Sequence, residues 1–120
     1  MSELNYYVKN QDEIIGFIVC FRENSEYSSK NYKFFNQQFK KFIYIDRVAI
    51  KEKYRRKGIG KNIYSAVEDY AIARNIPICC EVNTDPMNVI SIEFHMSLGF
   101  KKIGEYDFDD HSVAYFLKNN

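Results

Sequence analysis

The stretch Tyr54-Arg-Arg-Lys-Gly-Ile-Gly-Lys61 lies between two segments of different periodicity. Residues 42–50 before it are apolar on nearly every position, which is typical of a strand buried inside a sheet. After it, apolar residues recur at the spacing of one helix face. A strand that turns into a helix through Gly58 and Gly60 aims backbone N–H groups outward at the helix N-terminus, where they favour an anion. This stretch therefore indicates a phosphate-binding turn.

The two glycines alone leave an alternative open. A Walker loop needs four residues between its first Gly and Gly-Lys-Ser/Thr, and a dinucleotide turn needs a third Gly after Gly60, so neither familiar loop fits. A tight strand-to-helix turn beside a solvated basic face fits equally well. Basic side chains around the turn suit a pyrophosphate or a ribose phosphate. They are Arg55, Arg56, Lys57 and Lys61.

In the remaining segments, the spacing of apolar residues is in turn typical of strands and of helices. Hairpins at both ends of a strand–helix–strand centre imply an α+β (α/β three-layer) fold with a mixed, mostly antiparallel twisted sheet, in a single domain over 1–120. The predicted elements are a hairpin (6–9 and 14–21), an aromatic segment (31–41), a strand (42–50), a helix (58–74), a strand (78–84), a helix (89–98) and a closing hairpin (101–108 and 113–117). The aromatic segment is either a helix or loop that buries its rings, or a wall that contacts a substrate.

Composition narrows the class of protein. The chain has 120 residues, 46% of them apolar, and 17 basic against 16 acidic side chains give a formal charge of +1. That balance predicts neither nucleic acid nor an anionic membrane as a partner. The three cysteines, Cys20, Cys79 and Cys80, lack the spacing of a zinc or redox pair and predict buried thiols in a reducing compartment. Without a signal or spanning segment, we expect a soluble, cytoplasmic protein with no metal.

Two motifs read together identify a family. Arg55-x-x-Gly58-x-Gly60 resembles motif A of the GNAT superfamily of N-acetyltransferases. The run Asn88-x-x-Ser91-x-x-Phe94-His95-x-x-x-Gly99-Phe100 is similar to the second signature of that superfamily, in the expected order. The segment from Glu81 to Pro86 also resembles an uncharacterised bacterial subgroup of predicted acetyltransferases.

The resemblance implies that acetyl-CoA binds in a gap between the strand that ends at Ile50 and the strand that begins at Ile78. The turn would hold the diphosphate, the strand edge would pair with the pantetheine arm, and Asn88 would bond that arm. The implied cofactor-binding residues are Val48, Ala49, Ile50, Arg55, Arg56, Lys57, Gly58, Ile59, Gly60, Lys61, Asn88, Ser91 and Phe94.

The resemblance also implies direct attack of an amine on the thioester, for which the site must remove a proton from the amine. Asp46, Glu81 and Asn83 point near the gap when the two strands are read in alternation, and either carboxylate is a candidate base. Asp46 and Arg47 would equally suit pairing with neighbours in the sheet. His95, at the position that usually holds Tyr, is the candidate proton donor to the leaving thiolate, or else a packed, hydrogen-bonded core histidine.

The family usually begins with a strand and helices that wall the acceptor site, and this chain reads as starting at the second strand. We therefore expect residues 22–41 or a neighbouring subunit to replace that wall, or the acceptor pocket to be open. The expected activity is transfer of acetyl to a small-molecule or peptide amine. The alternative is a non-catalytic CoA-binding or protein-interaction module. Exposed aromatic faces are compatible with a homodimer.

Overall fold

The computed structural model of the chain describes residues 3–27, 29–55 and 57–119, and for Glu3 the backbone alone. The order of strands and helices is the predicted one. The elements are β1 (Glu3–Asn10), β2 (Glu13–Arg22), α1 (Lys30–Gln38), β3 (Ile43–Ile50), a 3-10 turn (Glu52–Tyr54), α2 (Ile59–Arg74), β4 (Ile78–Asp85), α3 (Val89–Ser97), β5 (Lys101–Asp107) and β6 (Ser112–Lys118).

The six strands form one sheet in the order β1-β2-β3-β4-β6-β5. Neighbouring strands are antiparallel except β3 and β4, which are parallel because α2 crosses between them. The predicted α+β fold, with a mixed, mostly antiparallel sheet around a βαβ centre, is confirmed.

The two faces of the sheet carry different cores. On one face, α2 and α3 cover a mainly aliphatic cluster that includes Ile18, Ile63 and Val67. On the other face, α1 covers an aromatic cluster in which Tyr32 and Phe35 are buried. The aromatic segment is thus a helix that buries its rings, the first of its two predicted alternatives.

The pairing of β3 with β4 stops after two residue pairs, Ile43 with Ile78 and Tyr44 with Cys79. A β-bulge lies opposite β2, where Val19 pairs with Arg47 and Cys20 with Ile45, so one extra residue stands in β3. A bulge of this kind bends its strand and increases the local twist. No other described strand takes up the free edge of β3, so a gap opens between β3 and β4.

The three cysteines are buried and unbonded, as predicted. Burial raises the pKa of the Cys20 thiol to about 12, which leaves that thiol uncharged. Among the described helices, none combines the length and the apolar character needed to cross a bilayer.

Candidate functional site

A cleft of about 710 Å³ opens where β3 and β4 diverge. Its walls are the second half of β3, the start of α2 and the inner side of α3. The lining residues are Val48, Ile50, Arg55, Gly58, Gly60, Lys61, Tyr64, Asn88, Ile90, Ser91, Phe94 and His95.

The N-terminus of α2 forms one end of the cleft. Gly58 caps the helix with φ +79°, a left-handed conformation that residues with a Cβ rarely adopt. The Asn62 N–H donates to the Gly58 carbonyl, which is the first bond of the helix, and no side chain caps this end. The backbone N–H groups of residues 59–61 have no acceptor among the described residues. An anion would satisfy them.

The geometry around Gly60 keeps the cleft open. A Cβ at Gly60 would come to 3.5 Å from both Ile50 Cδ1 and Phe94 Cζ, which is ordinary contact. Any larger side chain at this position would therefore extend into the cleft. Arg55 Nε donates to the Ile50 carbonyl at 3.1 Å, which holds this basic side chain beside the end of β3.

The N-terminus of α3 forms the opposite wall. Asn88 caps the helix, its side-chain oxygen accepting from the Ser91 N–H at 3.1 Å. The Asn88 backbone N–H donates to the Asn83 carbonyl at 3.0 Å, so the cap is tied to β4. The side-chain NH₂ of Asn88 remains exposed at the cleft rim.

Most of the residues predicted to bind the cofactor line this cleft, and three described ones do not. Ala49 is exposed and alternates with Val48 and Ile50, whose side chains pack against the α2 and α3 face. Lys57 places its ammonium 5.9 Å from the ring centroid of Tyr54. Ile59 packs against the aliphatic core, leaving only its backbone for a ligand. Arg56 lies outside the described residues. Binding by each of these residues stays a prediction.

His95 lies in the cleft wall and is 6% exposed. Its Nε2 lies 2.6 Å from Tyr64 Oη, and its Nδ1 lies 2.7 Å from the Ser91 carbonyl oxygen. Burial lowers the pKa of His95 and favours the neutral ring. This is the packing expected of a hydrogen-bonded core histidine, although the ring also borders the cleft.

The two predicted carboxylates lie on the opposite face of the sheet, beside the gap. Glu81 accepts a hydrogen bond from Tyr44 Oη at 2.6 Å, and Asp46 accepts one from Tyr27 Oη at 2.5 Å. Burial, with the negative charge of Asp46 nearby, raises the pKa of the Glu81 carboxyl to about 7, against the opposing effect of the Tyr44 hydrogen bond. The described residues form no ion pair with either carboxylate. Asn83, on the same strand as Glu81, is exposed.

Sequence reasoning missed four residues of this region: Tyr64 and Ile90 in the cleft, and Tyr27 and Tyr44 beside the carboxylates. A signal for Tyr64 was available, because it follows Gly60 by four residues and so lies on the same helix face. The two carboxylate partners depend on strand register and on a loop, and the sequence carries no local signal for them. Among the described residues no cluster of three or more His, Cys, Asp or Glu side chains suits a metal ion.

The sequence matches the model of the Acetyltransferase (GNAT) family over residues 2–100. The chain belongs to this family. No curated protein sequence matches the chain at a significant level.

Solved structures share the fold at low sequence identity. NAA60 of Arabidopsis thaliana, in complex with a bisubstrate analogue, superposes with a TM-score of 0.78 at 15% identity, over 99% of this chain and 76% of that one. Naa50 of the same plant, bound to the bisubstrate analogue CoA-Ac-MVNAL, gives 0.74 at 21% identity, over 97% and 72% of the two chains. The ribosomal-protein-S18-alanine N-acetyltransferase of Escherichia coli gives 0.72 at 16% identity, over 98% and 69%.

Proposed function

We propose that the protein binds acetyl-CoA in the cleft between β3 and β4 and transfers its acetyl group to a primary amine. The observation that carries this proposal is the gap itself. It joins a cleft with unpaired backbone donors on one face of the sheet to two carboxylates on the other. NAA60 has also been solved in complex with acetyl-CoA, which supports the choice of cofactor.

The coenzyme would lie along the cleft with its diphosphate at the start of α2. The N–H groups of residues 59–61 supply hydrogen bonds there, and Arg55 and Lys61 add positive charge. The amides of the pantetheine arm match the free edge of β3 near Val48 and Ile50. The exposed NH₂ of Asn88 is placed to donate to a carbonyl of that arm.

The acceptor would approach from the opposite face. A primary amine has a pKa of roughly 10.4 and is protonated near neutral pH, so a base must take one proton before the nitrogen attacks. Glu81, with its pKa near 7 and its place beside the gap, suits this role, and Asp46 adds negative charge that favours a cationic acceptor. The nitrogen then adds to the thioester carbon while a backbone N–H near Val48 meets the oxyanion. The C–S bond breaks with its electron pair on sulfur, and the second proton of the attacking nitrogen passes through water to the thiolate.

Two measurements test this proposal. Isothermal titration with acetyl-CoA should give saturable binding with a dissociation constant of roughly 1–100 µM. A panel of primary amines, scored by release of the coenzyme thiol, should then show turnover with at least one acceptor. The absence of binding at millimolar acetyl-CoA would overturn the assignment. Binding without turnover of any amine would support the non-catalytic CoA-binding module.

A further inference from the structure

The charged pair Asp46-Arg47 in the middle of β3 is only half explained by the site described above. Asp46 accepts a hydrogen bond from Tyr27 Oη at 2.5 Å. Arg47 is exposed, and its guanidinium forms no hydrogen bond or ion pair with another described residue, Asp46 included. A strand with mainly apolar residues thus holds a cation that has no partner in the described part of the chain.

The β-bulge in β3 breaks the usual alternation of side chains at this pair. Successive residues of a regular strand point to opposite faces of the sheet. Cys20 pairs with Ile45 and Val19 with Arg47, so Asp46 is the extra residue that the bulge adds. Cys20 and Ile45 belong to the aliphatic cluster under α2 and α3, whereas Val19 and Arg47 lie on the opposite face, the α1 face.

Asp46 lies on the α1 face as well, where Tyr27 of the aromatic cluster donates to it. Asp46 is also near enough to Glu81 for its charge to act on that carboxyl. The bulge therefore gives one face of the sheet a carboxylate and a guanidinium from adjacent residues. Both follow Tyr44, the last residue of β3 that pairs with β4, so they lie where the two strands separate.

The α1 face beside Arg47 is open. The aromatic cluster under α1 covers the sheet around Tyr44, but Ala49 is exposed and its partner on β2, Phe17, is only half-buried. Val19, the partner of Arg47, is half-buried too. A small ligand therefore has room next to the gap, over an apolar floor and within reach of the guanidinium.

The two kinds of charge suit the two ends of one small molecule. A carboxylate favours an ammonium group, and a guanidinium binds a carboxylate through two parallel N–H···O bonds. In an α-amino acid, a single carbon atom joins these two groups. A peptide N-terminus has an amide carbonyl in place of the carboxylate, and a polyamine has a second cation, which Arg47 would repel.

We propose that the acceptor of the acetyl group is a free α-amino acid, and that Arg47 is the specificity residue that binds its carboxylate. The inference rests on the proposed function and names the substrate class of the same site. The amine of the acceptor lies towards Glu81 and Asp46. An N–C bond forms as the C–S bond breaks, and the nitrogen gives one proton to Glu81 and one, through water, to the thiolate. Arg47 stays charged throughout and orients the acceptor.

The test compares each amino acid with its own carboxamide. Standard amino acids other than cysteine are assayed for release of the coenzyme thiol, and those that react are compared with their amides, such as leucine with leucinamide. The amide keeps the amine and the side chain but lacks the negative charge. The quantity measured is kcat/KM for the amino acid divided by kcat/KM for the amide.

This ratio should be about tenfold lower in Arg47→Gln than in wild type, because a charge-assisted, bidentate contact to the carboxylate is lost. The loss should appear mainly as a higher KM for the amino acid. The amines of an amino acid and its amide differ in basicity, but that difference is the same for every variant and cancels in the comparison.

Arg74→Gln is the matched control. Arg74 is an exposed arginine in the last turn of α2, on the other side of the sheet, and its loss changes the net charge equally. The ratio of this variant should equal that of wild type. Arg47→Lys keeps the charge without the planar fork, so its ratio should fall between those of wild type and Arg47→Gln. It also carries the test if Arg47→Gln fails to fold, which titration with acetyl-CoA checks.

An equal ratio in wild type and Arg47→Gln would overturn this inference and leave the proposed function standing. Turnover of amides or peptides, but of no free amino acid, would do the same. Failure of wild type to bind acetyl-CoA, or binding without turnover of any amine, would overturn both.

Discussion

The two faces of the sheet at the gap differ in chemistry and in how the sequence builds them. On the α2 and α3 face, the cleft presents backbone N–H groups and basic side chains, supplied by two short runs of sequence, 48–64 and 88–95. On the α1 face, two carboxylates lie beside two tyrosines, and these four residues come from three separate segments: Tyr27 from the loop before α1, Tyr44 and Asp46 from β3, and Glu81 from β4. In the proposed function, the cleft face, which is the α2 and α3 face, takes the anionic cofactor. The α1 face, called the acceptor face below, takes the cationic acceptor.

The largest expected effect concerns the acceptor face. Glu81→Gln keeps the shape of the side chain but removes the proposed base, so kcat with an amine should fall about 10²–10⁴-fold. Binding of acetyl-CoA on the other face should stay within about twofold of wild type, because the substituted residue does not line the cleft. Steady-state kinetics and titration calorimetry measure the two quantities. Glu105→Gln, an exposed change on β5, is the control. Full activity of Glu81→Gln would exclude a catalytic role for this carboxylate.

The matching change on the cleft face is Gly60→Asp. Its carboxylate would stand at the start of α2 and repel the diphosphate, so acetyl-CoA should bind about 100-fold more weakly. The fold should persist, since a Cβ fits at this position and an acidic residue favours a helix N-terminus. Gly60→Asn is the control of equal size and should bind more tightly than Gly60→Asp. Equal affinities of the two variants in calorimetry would contradict the phosphate-binding turn.

The pH dependence of the free energy of unfolding tests the raised pKa of Glu81 without any substrate. The pKa of the Glu81 carboxyl is raised from 4.5 to about 7 in the folded chain. A raised folded-state pKa contributes stability that is complete below the unfolded value and is lost as pH rises through the folded one. The free energy of unfolding of Glu81→Gln should therefore gain about 3 kcal/mol relative to wild type between pH 4.5 and pH 8.

Urea unfolding at a series of pH values measures this difference. The exposed Glu105→Gln should show no such growth. A difference that stays constant with pH would mean that the pKa of Glu81 is not raised in the folded chain. Glu81 would then lack the pKa near 7 on which its proposed role as the base depends.

The smallest expected effect comes from Tyr44, whose hydroxyl stabilises the Glu81 carboxylate. Tyr44→Phe removes that hydrogen bond, so the pKa of Glu81 should rise further, by about one unit. The acidic limb of the kcat–pH profile should move up by the same amount and the rate at neutral pH should drop several-fold. Tyr7→Phe, at an exposed site on β1, should leave the profile where it is. An unmoved limb in Tyr44→Phe would argue that the limb reports a group other than Glu81.

Most residues that line the cleft face were predicted from the resemblance to the two family motifs, and the geometry of both motifs is local. Gly58 caps α2 in a left-handed conformation that glycine permits, and Asn88 caps α3 through its own side chain. Alternating and helical periods also predicted every strand and helix in order. Tyr64 was overlooked because an aromatic residue on an apolar helix looks like core, and most of it is buried.

Only part of the acceptor face could be predicted from the sequence, because its contacts join segments that are far apart in the chain. The pairing of Tyr44 with Glu81 depends on the register of two parallel strands separated by α2, and one sequence does not fix that register. The bulge in β3 lies beside the gap, and no glycine or proline in the sequence of β3 marks its position. Tyr27 reaches Asp46 from an irregular loop. Sequence alternation placed both carboxylates near the gap but gave no partner for either.

A crystal structure of the protein with acetyl-CoA tests the division between the two faces most directly. We predict diphosphate oxygens within hydrogen-bond distance of the N–H groups of residues 59–61, and the pantetheine arm along β3 near Val48. The thioester should lie at the gap, with Glu81 across the sheet from it. A coenzyme seated on the α1 face, or a cleft that stays empty at saturating ligand, would contradict the account.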